Sequence, residues 1–312
     1  MNTSKVPPSE HRSYFPSSEP VILVTGASSG FGMLISITMA KRGYRVIASM
    51  RELRNQDQLM EQASAAKVDG VINCVEMDVT DHGTISKVIA EIIERYGRID
   101  VLVNNAGMAI GGFIEEVPIL AWQQQMDVNF IGLVTITKAV LPFMRQQRSG
   151  TIFNISSVSG RVGFPGYAPY VASKFAVEGF SEALRLEMKP HGVKVVLIEP
   201  GAYPTKIWQK GFDSIHATPQ SPYQEQLDAV LSYSKSTLHN GADPQEIADA
   251  IARISKLRRP KLRYAMGKGV LFLLFIKALL PWNCLEQLML ILLKIRKAPD
   301  RSPFDEDTCS KR

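Results

Sequence analysis

The sequence predicts an α/β chain, a doubly wound parallel sheet, and three observations carry that expectation. Short, apolar, largely β-branched runs recur along the chain. Stripes of helical period separate them, and the first run ends in a glycine-rich turn that opens a helix. Strands alternating with helices build parallel crossover units, because a parallel neighbour is reached only by a long connection. With 312 residues and 45% hydrophobic composition, the chain can bury the core of one large α/β domain.

Val21-Ile22-Leu23-Val24 is wholly apolar, as a strand covered on both faces requires. Gly26-Ala27-Ser28-Ser29-Gly30-Phe31-Gly32 follows, then an apolar helix to Arg42 that Gly43 stops. Such a turn presents backbone N–H groups at a helix N-terminus, where a pyrophosphate can sit. Its glycines permit the bend and the close approach of ligand to backbone. Arg45 to Met50 is the second strand, and its tip bears on cofactor choice. An acid there would accept hydrogen bonds from the adenosine ribose, whereas an arginine suits a 2′-phosphate. Met50-Arg51 therefore favours NADP(H) over NAD(H), with Arg51 as the phosphate partner and Arg54 or Ser28 as helpers.

Val71 to Met77 is a third strand, closed by Asp78-Val79-Thr80-Asp81, and Ile85, Val88, Ile89, Ile92 and Ile93 form a helical stripe ending at Gly97. Val101-Leu102-Val103 is the fourth, ending in Asn104-Asn105-Ala106-Gly107. A long helix is expected from Pro118 to Arg145, and it contains Asn129, which is costly in an apolar helix unless its amide is used. Gly150 to Ile155 delivers Ser156-Ser157 to the carboxyl edge of the sheet, the edge at which open α/β sheets bind ligands.

A helix from Tyr170 to Lys189 places Tyr170 and Lys174 one turn apart on one face. A free tyrosine titrates near pH ~10. A fixed positive charge beside it favours the phenolate and brings it towards the range that acid/base catalysis needs. By itself this spacing is weak evidence, since two solvated residues four apart also produce it. Lys194 to Glu199 is the sixth strand, ending in Pro200-Gly201. Residues 202 to 243 read as an irregular insertion that lids or lines a substrate site. A helix opens at Asp243-Pro244 and runs through Arg258, and Tyr264 to Met266 is the last strand.

Taken together, these residues resemble the short-chain dehydrogenases/reductases from roughly Pro20 to Met266. The resemblance rests on Thr25-Gly-x-x-x-Gly-x-Gly32, Asn104-Asn-Ala-Gly107, Asn129, Ser157, Tyr170-x-x-x-Lys174 and Pro200-Gly-x-x-x-Thr205. It implies a Rossmann-like single domain and an enzyme in which Tyr170 exchanges a proton with the substrate oxygen while hydride moves to or from the nicotinamide. Lys174 would hold the nicotinamide ribose and lower the tyrosine pKa. Ser157, or Ser156 if the register slips, would bind the substrate oxygen, and Asn129 would hold a water linking Lys174 to solvent. The cofactor would meet Gly26, Ser28, Ser29, Gly30, Phe31 and Gly32 at the turn. It would meet Asp78 and Val79 at the adenine, Asn105, Ala106 and Gly107 at the ribose, and Pro200, Gly201 and Thr205 at the carboxamide. Asn105 and Gly107 also serve as plain turn formers, and Thr205 as a helix cap. Phe31 stands where the family more often carries Ile, which bears on packing.

Three cysteines, Cys74, Cys284 and Cys309, form neither a disulfide framework nor a metal site and fit a reducing, cytoplasmic location. Residues 1–19 read as a flexible leader without a secretory core, and 298–312 as a flexible tail. Net charge is +6, unevenly placed: between Lys256 and Lys297 stand ten basic residues against one acid, Glu286. Within that stretch, residues 267–297 form two apolar helical pieces interrupted by Lys277, Pro281 and Glu286, too broken for a membrane span of about 20 residues. They read either as a lid over the substrate or as a peripheral membrane contact. No recognition motif accompanies the charge, so nucleic acid is not an expected partner.

The sequence thus predicts an NADP-dependent oxidoreductase of a ketone or secondary alcohol in a lipophilic molecule (steroid, retinoid or acyl lipid), working as a homo-oligomer. The resemblance in detail is to hydroxysteroid and retinol dehydrogenase-like members. The alternative is a catalytically idle NADP-binding sensor or scaffold at a membrane surface. An intact Asn129, Ser157, Tyr170 and Lys174 set argues against it.

Overall fold

The computed structural model describes residues 19–293. The tail expectation and, but for its last residue, the leader expectation lie outside the described residues.

The elements follow one another as β1 (Val21–Val24), α1 (Gly30–Lys41), β2 (Arg45–Met50), α2 (Asp57–Ala65), β3 (Ile72–Glu76), α3 (His82–Tyr96) and β4 (Val101–Asn104). Then come α4 (Ile119–Met126), α5 (Gly132–Gln147), β5 (Gly150–Ile155), α6 (Ala168–Met188), β6 (Val193–Pro200), α7 (Lys206–Asp213) and α8 (Gln224–His239). The described residues end with α9 (Gln245–Ile254), β7 (Arg263–Met266), α10 (Val270–Leu279) and α11 (Trp282–Leu292).

All seven strands pair in parallel, in the order β3-β2-β1-β4-β5-β6-β7. The first strand lies inside the sheet, so winding reverses between β1 and β4 and opens a crevice at the carboxyl edge. Alternation along β1 shows how both faces are covered. Ile22 and Val24 pack with α1, α2 and α9, while Val21 and Leu23 pack with α3, α5 and α6. A strand buried on both faces has no polar position to spare, which is why β1 reads as an unbroken apolar run.

The structure departs from the sequence reading in three places. Residues 202–243 are not irregular; they hold α7 and α8. Pro204 and Pro222 stand just ahead of these helices, where a missing N–H is tolerated, so they mark helix starts rather than a loop. Helix α2, which was not foreseen, buries only Leu59 and Ala63 and so carries a faint stripe. The long helix expected from Pro118 is α4 and α5 joined by a π-helical turn at Asp127–Ile131. Taken as one helix, Ile119–Gln147 is the only run among the described residues long and apolar enough to cross a membrane. Its Leu133, Ile136, Val140 and Met144 are buried, and the last three enter the core beneath the sheet.

Candidate active site

The glycine turn is built by close approach. Gly26 and Gly30 adopt φ of +66° and +57°, and a Cβ on Gly26 would lie 2.9 Å from Ala106 Cα. A Cβ on Gly32 would overlap the Gly26 carbonyl and the Asn105 amide. Thr25 stitches the same junction. Its hydroxyl accepts from the backbone N–H groups of Asn105 (3.0 Å) and Ala106 (2.9 Å), and Asn105 Nδ2 donates to the Thr25 and Gly26 carbonyls at 2.8 and 3.1 Å. At the start of α1, Ser29 makes no side-chain cap, which leaves first-turn N–H groups to face the crevice. Thr205 stands opposite, its Cβ 3.6 Å from where a Gly30 Cβ would be, and although it occupies the N-cap position of α7 its side chain makes no cap bond. A narrow glycine cradle under uncapped helical N–H groups fits a dinucleotide pyrophosphate.

Other expected cofactor residues occupy the same edge with varied duties. Asp78 Oδ1 accepts from Thr80 N (2.8 Å) and Oγ1 (2.7 Å). The Val79 carbonyl presses on Gly132, where a Cβ would come within 2.6 Å. Gly107 leaves room for Asn129 Oδ1, 3.3 Å from a built Cβ. Gly201 follows Pro200 at the end of β6 and donates to Met266 O at 2.8 Å, and a side chain on it would overlap Val270, so this glycine admits α10 to the site. Phe31 meets Tyr203 edge-on at 5.4 Å, a packing role. At the β2 tip Arg51 is exposed, whereas Arg54 is engaged by Glu52 at 2.6 Å.

The catalytic candidates converge. Asn129, Ser157, Tyr170 and Lys174 are all buried, exposed by 2%, 4%, 6% and 5%. The Ser157 side chain neighbours the Tyr170 hydroxyl, its own hydroxyl donating to Pro200 O at 3.4 Å and accepting from Ser159 N at 3.1 Å, and Lys174 Nζ lies 5.6 Å from the Tyr170 ring centroid. Ser157, not Ser156, is therefore the serine at the phenol. The Ser156 hydroxyl is buried without a partner against Gly160. The expected acidification of Tyr170 is not found in the protein alone. Burial pushes the phenol up to about 12, only partly offset by Ser157, and burial brings Lys174 down to about 8, with Glu178 acting the other way. The physical reason is that Lys174 Nζ donates to the Ile155 carbonyl at 2.8 Å rather than to the phenol, so desolvation dominates both groups.

Asn129 shows what the π turn is for. Its Oδ1 accepts from Met108 N, its Nδ2 donates to Met108 O, both at 2.9 Å, and Nδ2 also reaches Ser173 Oγ at 3.0 Å. Ser173 in turn donates to the Tyr170 carbonyl at 2.7 Å. One amide thus ties the loop after β4 to the helix carrying the tyrosine.

Several contributors were missed. Gln125 holds the same loop by accepting from Ile110 N and donating to Met108 O. Tyr167 and Trp208 flank the phenol, Trp208 at 6.0 Å from the Tyr170 ring, and Phe212, Val230 and Leu293 complete that apolar cluster. Behind Lys174, the fully buried Glu199 pairs with Arg161 (3.2 Å) and Arg263 (3.1 Å), and Arg263 also binds Glu178 and Glu182 of α6. An acid closing an apolar strand was the available signal for this clamp.

Comparison with known proteins agrees with this geometry. A family model described as short chain dehydrogenase matches residues 20–215. The chain is similar to an uncharacterized oxidoreductase, YusZ, of Bacillus subtilis, 42% identical over 86% of this chain and 96% of the relative. It is also similar to a 3-ketodihydrosphingosine reductase of Bacteroides thetaiotaomicron, 36% identical over 88% and 98%. Among solved structures it resembles a short-chain dehydrogenase from Streptomyces avermitilis, with TM-score 0.73, 33% identity and coverage of 89% and 96%. A closed serine dehydrogenase complexed with NADP+ gives 0.67, 28%, and 79% and 94%.

Proposed function

The chain belongs to the short-chain dehydrogenase/reductase family and is an NAD(P)-dependent oxidoreductase of CH–OH groups, and from that premise we propose that it reduces the ketone, or oxidises the secondary alcohol, of a lipophilic substrate with NADP(H). The observation that carries the reading is the Ser157–Tyr170 hydroxyl pair beside Lys174, roofed by Tyr167, Trp208, Phe212 and Val230. Polar atoms converge on one point, and the cluster packed against the phenol is apolar and aromatic. The relative named as a reductase of 3-ketodihydrosphingosine supports a ketone on a lipid-like molecule. Exposed Arg51 after Met50, and the neighbour complexed with NADP+, support the phosphorylated cofactor.

When bound, the nicotinamide supplies or accepts the hydride. The residues of this chain do the rest. Tyr170, held protonated by its burial, donates its proton to the carbonyl oxygen, and Ser157 hydrogen-bonds the same oxygen as charge develops there. Lys174 offsets the charge of the resulting phenolate. Asn129 positions the loop at Met108 and, through Ser173, the Tyr170 backbone. The glycine turn and the start of α1 would hold the pyrophosphate, Arg51 the 2′-phosphate, Asp78 and Val79 the adenine, Asn105 to Gly107 the ribose, and Pro200 to Thr205 the carboxamide side. Exposed Ile119, Leu120, Phe175 and Leu186 on α4 and α6 support a homo-oligomer. We place the enzyme in the cytoplasm.

The test is NADPH oxidation with a panel of apolar ketones set against small polar ones. Turnover concentrated in the apolar set is expected. Tight NADPH binding without turnover of any ketone would sink the reading in favour of a sensor.

A further inference from the structure

Nine of the sixteen large apolar side chains exposed among the described residues fall between Leu271 and Leu292, so the exposure is concentrated rather than scattered. On α10, Leu271, Phe275 and Leu279 repeat every fourth position, and with Phe272 they form one outward stripe, 59–70% exposed. On the other side Val270 is buried and seats on Gly201, Leu273, Leu274 and Ile276 are half-buried, and Lys277 Nζ lies 5.7 Å from the Phe175 ring centroid. Helix α11 repeats the plan, with Leu285 inward and Leu288, Ile291 and Leu292 outward. Trp282, 63% exposed, stands at the turn between them, an amphipathic ring suited to a membrane–water boundary.

Length excludes a span. Ten helical residues rise about 15 Å, half of a hydrocarbon core of about 30 Å. Charge selects among the surfaces that remain. The stretch from Lys256 to Lys297 carries ten basic residues against one acid in the sequence, and although Arg263 is matched by Glu178, Glu182 and Glu199, the excess that remains in this stretch favours an anionic lipid surface over a second, equally basic copy of this chain. Just beyond the outward face of α11, Leu293 turns in and packs in the cluster that holds Tyr170, Tyr167 and Val230. The exposed apolar surface and the substrate site are thus connected by one helix.

We propose that α10 and α11 form a docking hairpin that lies in the interface of an anionic bilayer, its apolar stripe among the lipid chains and the Leu293 side of the site facing the membrane. Only the purpose of docking, collection of substrate from the lipid phase, rests on the lipophilic-substrate reading; the docking itself does not.

The test is flotation of the full chain with phosphatidylcholine vesicles, with and without phosphatidylglycerol, in the absence of substrate. The expected result is binding to the phosphatidylglycerol vesicles that weakens as NaCl is raised. The double variant Phe272→Asp/Phe275→Asp should bind at least tenfold less while keeping its thermal unfolding temperature and its turnover of a small soluble ketone. Leu271→Ser should give a smaller loss. No flotation of the native chain, or equal flotation of the double variant, would overturn the proposal. So would loss of a dimer in the double variant without any vesicle binding, because a second copy would then cover the face. Vesicle binding combined with failure to reduce any lipid ketone would leave docking standing and remove the substrate reading instead.

Discussion

Between β1 and β5 the cleft is lined by groups whose partners are fixed one by one: Thr25 with Asn105 and Ala106, Asn129 with Met108 and Ser173, Lys174 with Ile155. Around the phenol it is lined by Tyr167, Trp208, Phe212, Val230 and Leu293, which meet through apolar and ring contacts. Hydrogen bonds are directional and costly to leave unmade when buried, so the first half tolerates few alternatives. Apolar packing tolerates many arrangements of similar volume. The first half is therefore suited to a constant reaction and the second to a particular substrate.

Substitutions should separate the halves. Tyr170→Phe removes the proton donor from the fixed half and should lower kcat/KM about a thousandfold with NADPH affinity retained, as measured by steady-state rates and cofactor fluorescence. Ser157→Ala should cost about a hundredfold, chiefly in kcat. Arg51→Asp acts at the far end of that half and should weaken NADPH about tenfold to a hundredfold relative to NADH, the worth of a charge-assisted phosphate contact. Equal loss for both cofactors would remove the 2′-phosphate assignment.

The reductive rate should also depend on pH through Lys174. Its pKa is brought down to about 8 by burial, so the ammonium that offsets the phenolate is present below that pH and lost as pH rises through it. Activity of the free enzyme should fall above about pH 8, by about tenfold per unit. A limb at pH 10 or higher would contradict this. In the apolar half, Trp208→Ala should mainly raise KM, about tenfold for a lipid ketone and little for a small one.

The halves also differed in how well they could be read. Strand β1, the glycine turn and the Tyr170/Lys174 spacing were legible because each rests on a local rule: continuous apolarity, glycine at positive φ, one helical turn. Helices α7 and α8 lie in the stretch read as an irregular insertion, because Pro204 and Pro222, which stand just before the helix starts, give it the composition of a loop. Trp208 and Leu293 carried no local signal, since their neighbours at Tyr170 lie far off in sequence. The balance of burial against charge at Tyr170 was also out of reach, because it depends on where the Lys174 amine points.

The most direct measurement is a single turnover with NADPH carrying deuterium at its transferable position and a long-chain ketone as acceptor. The account predicts a deuterated secondary alcohol from the native chain, formed about a thousandfold more slowly by Tyr170→Phe. Tight cofactor binding with no labelled alcohol, or equal rates for the two proteins, would contradict it.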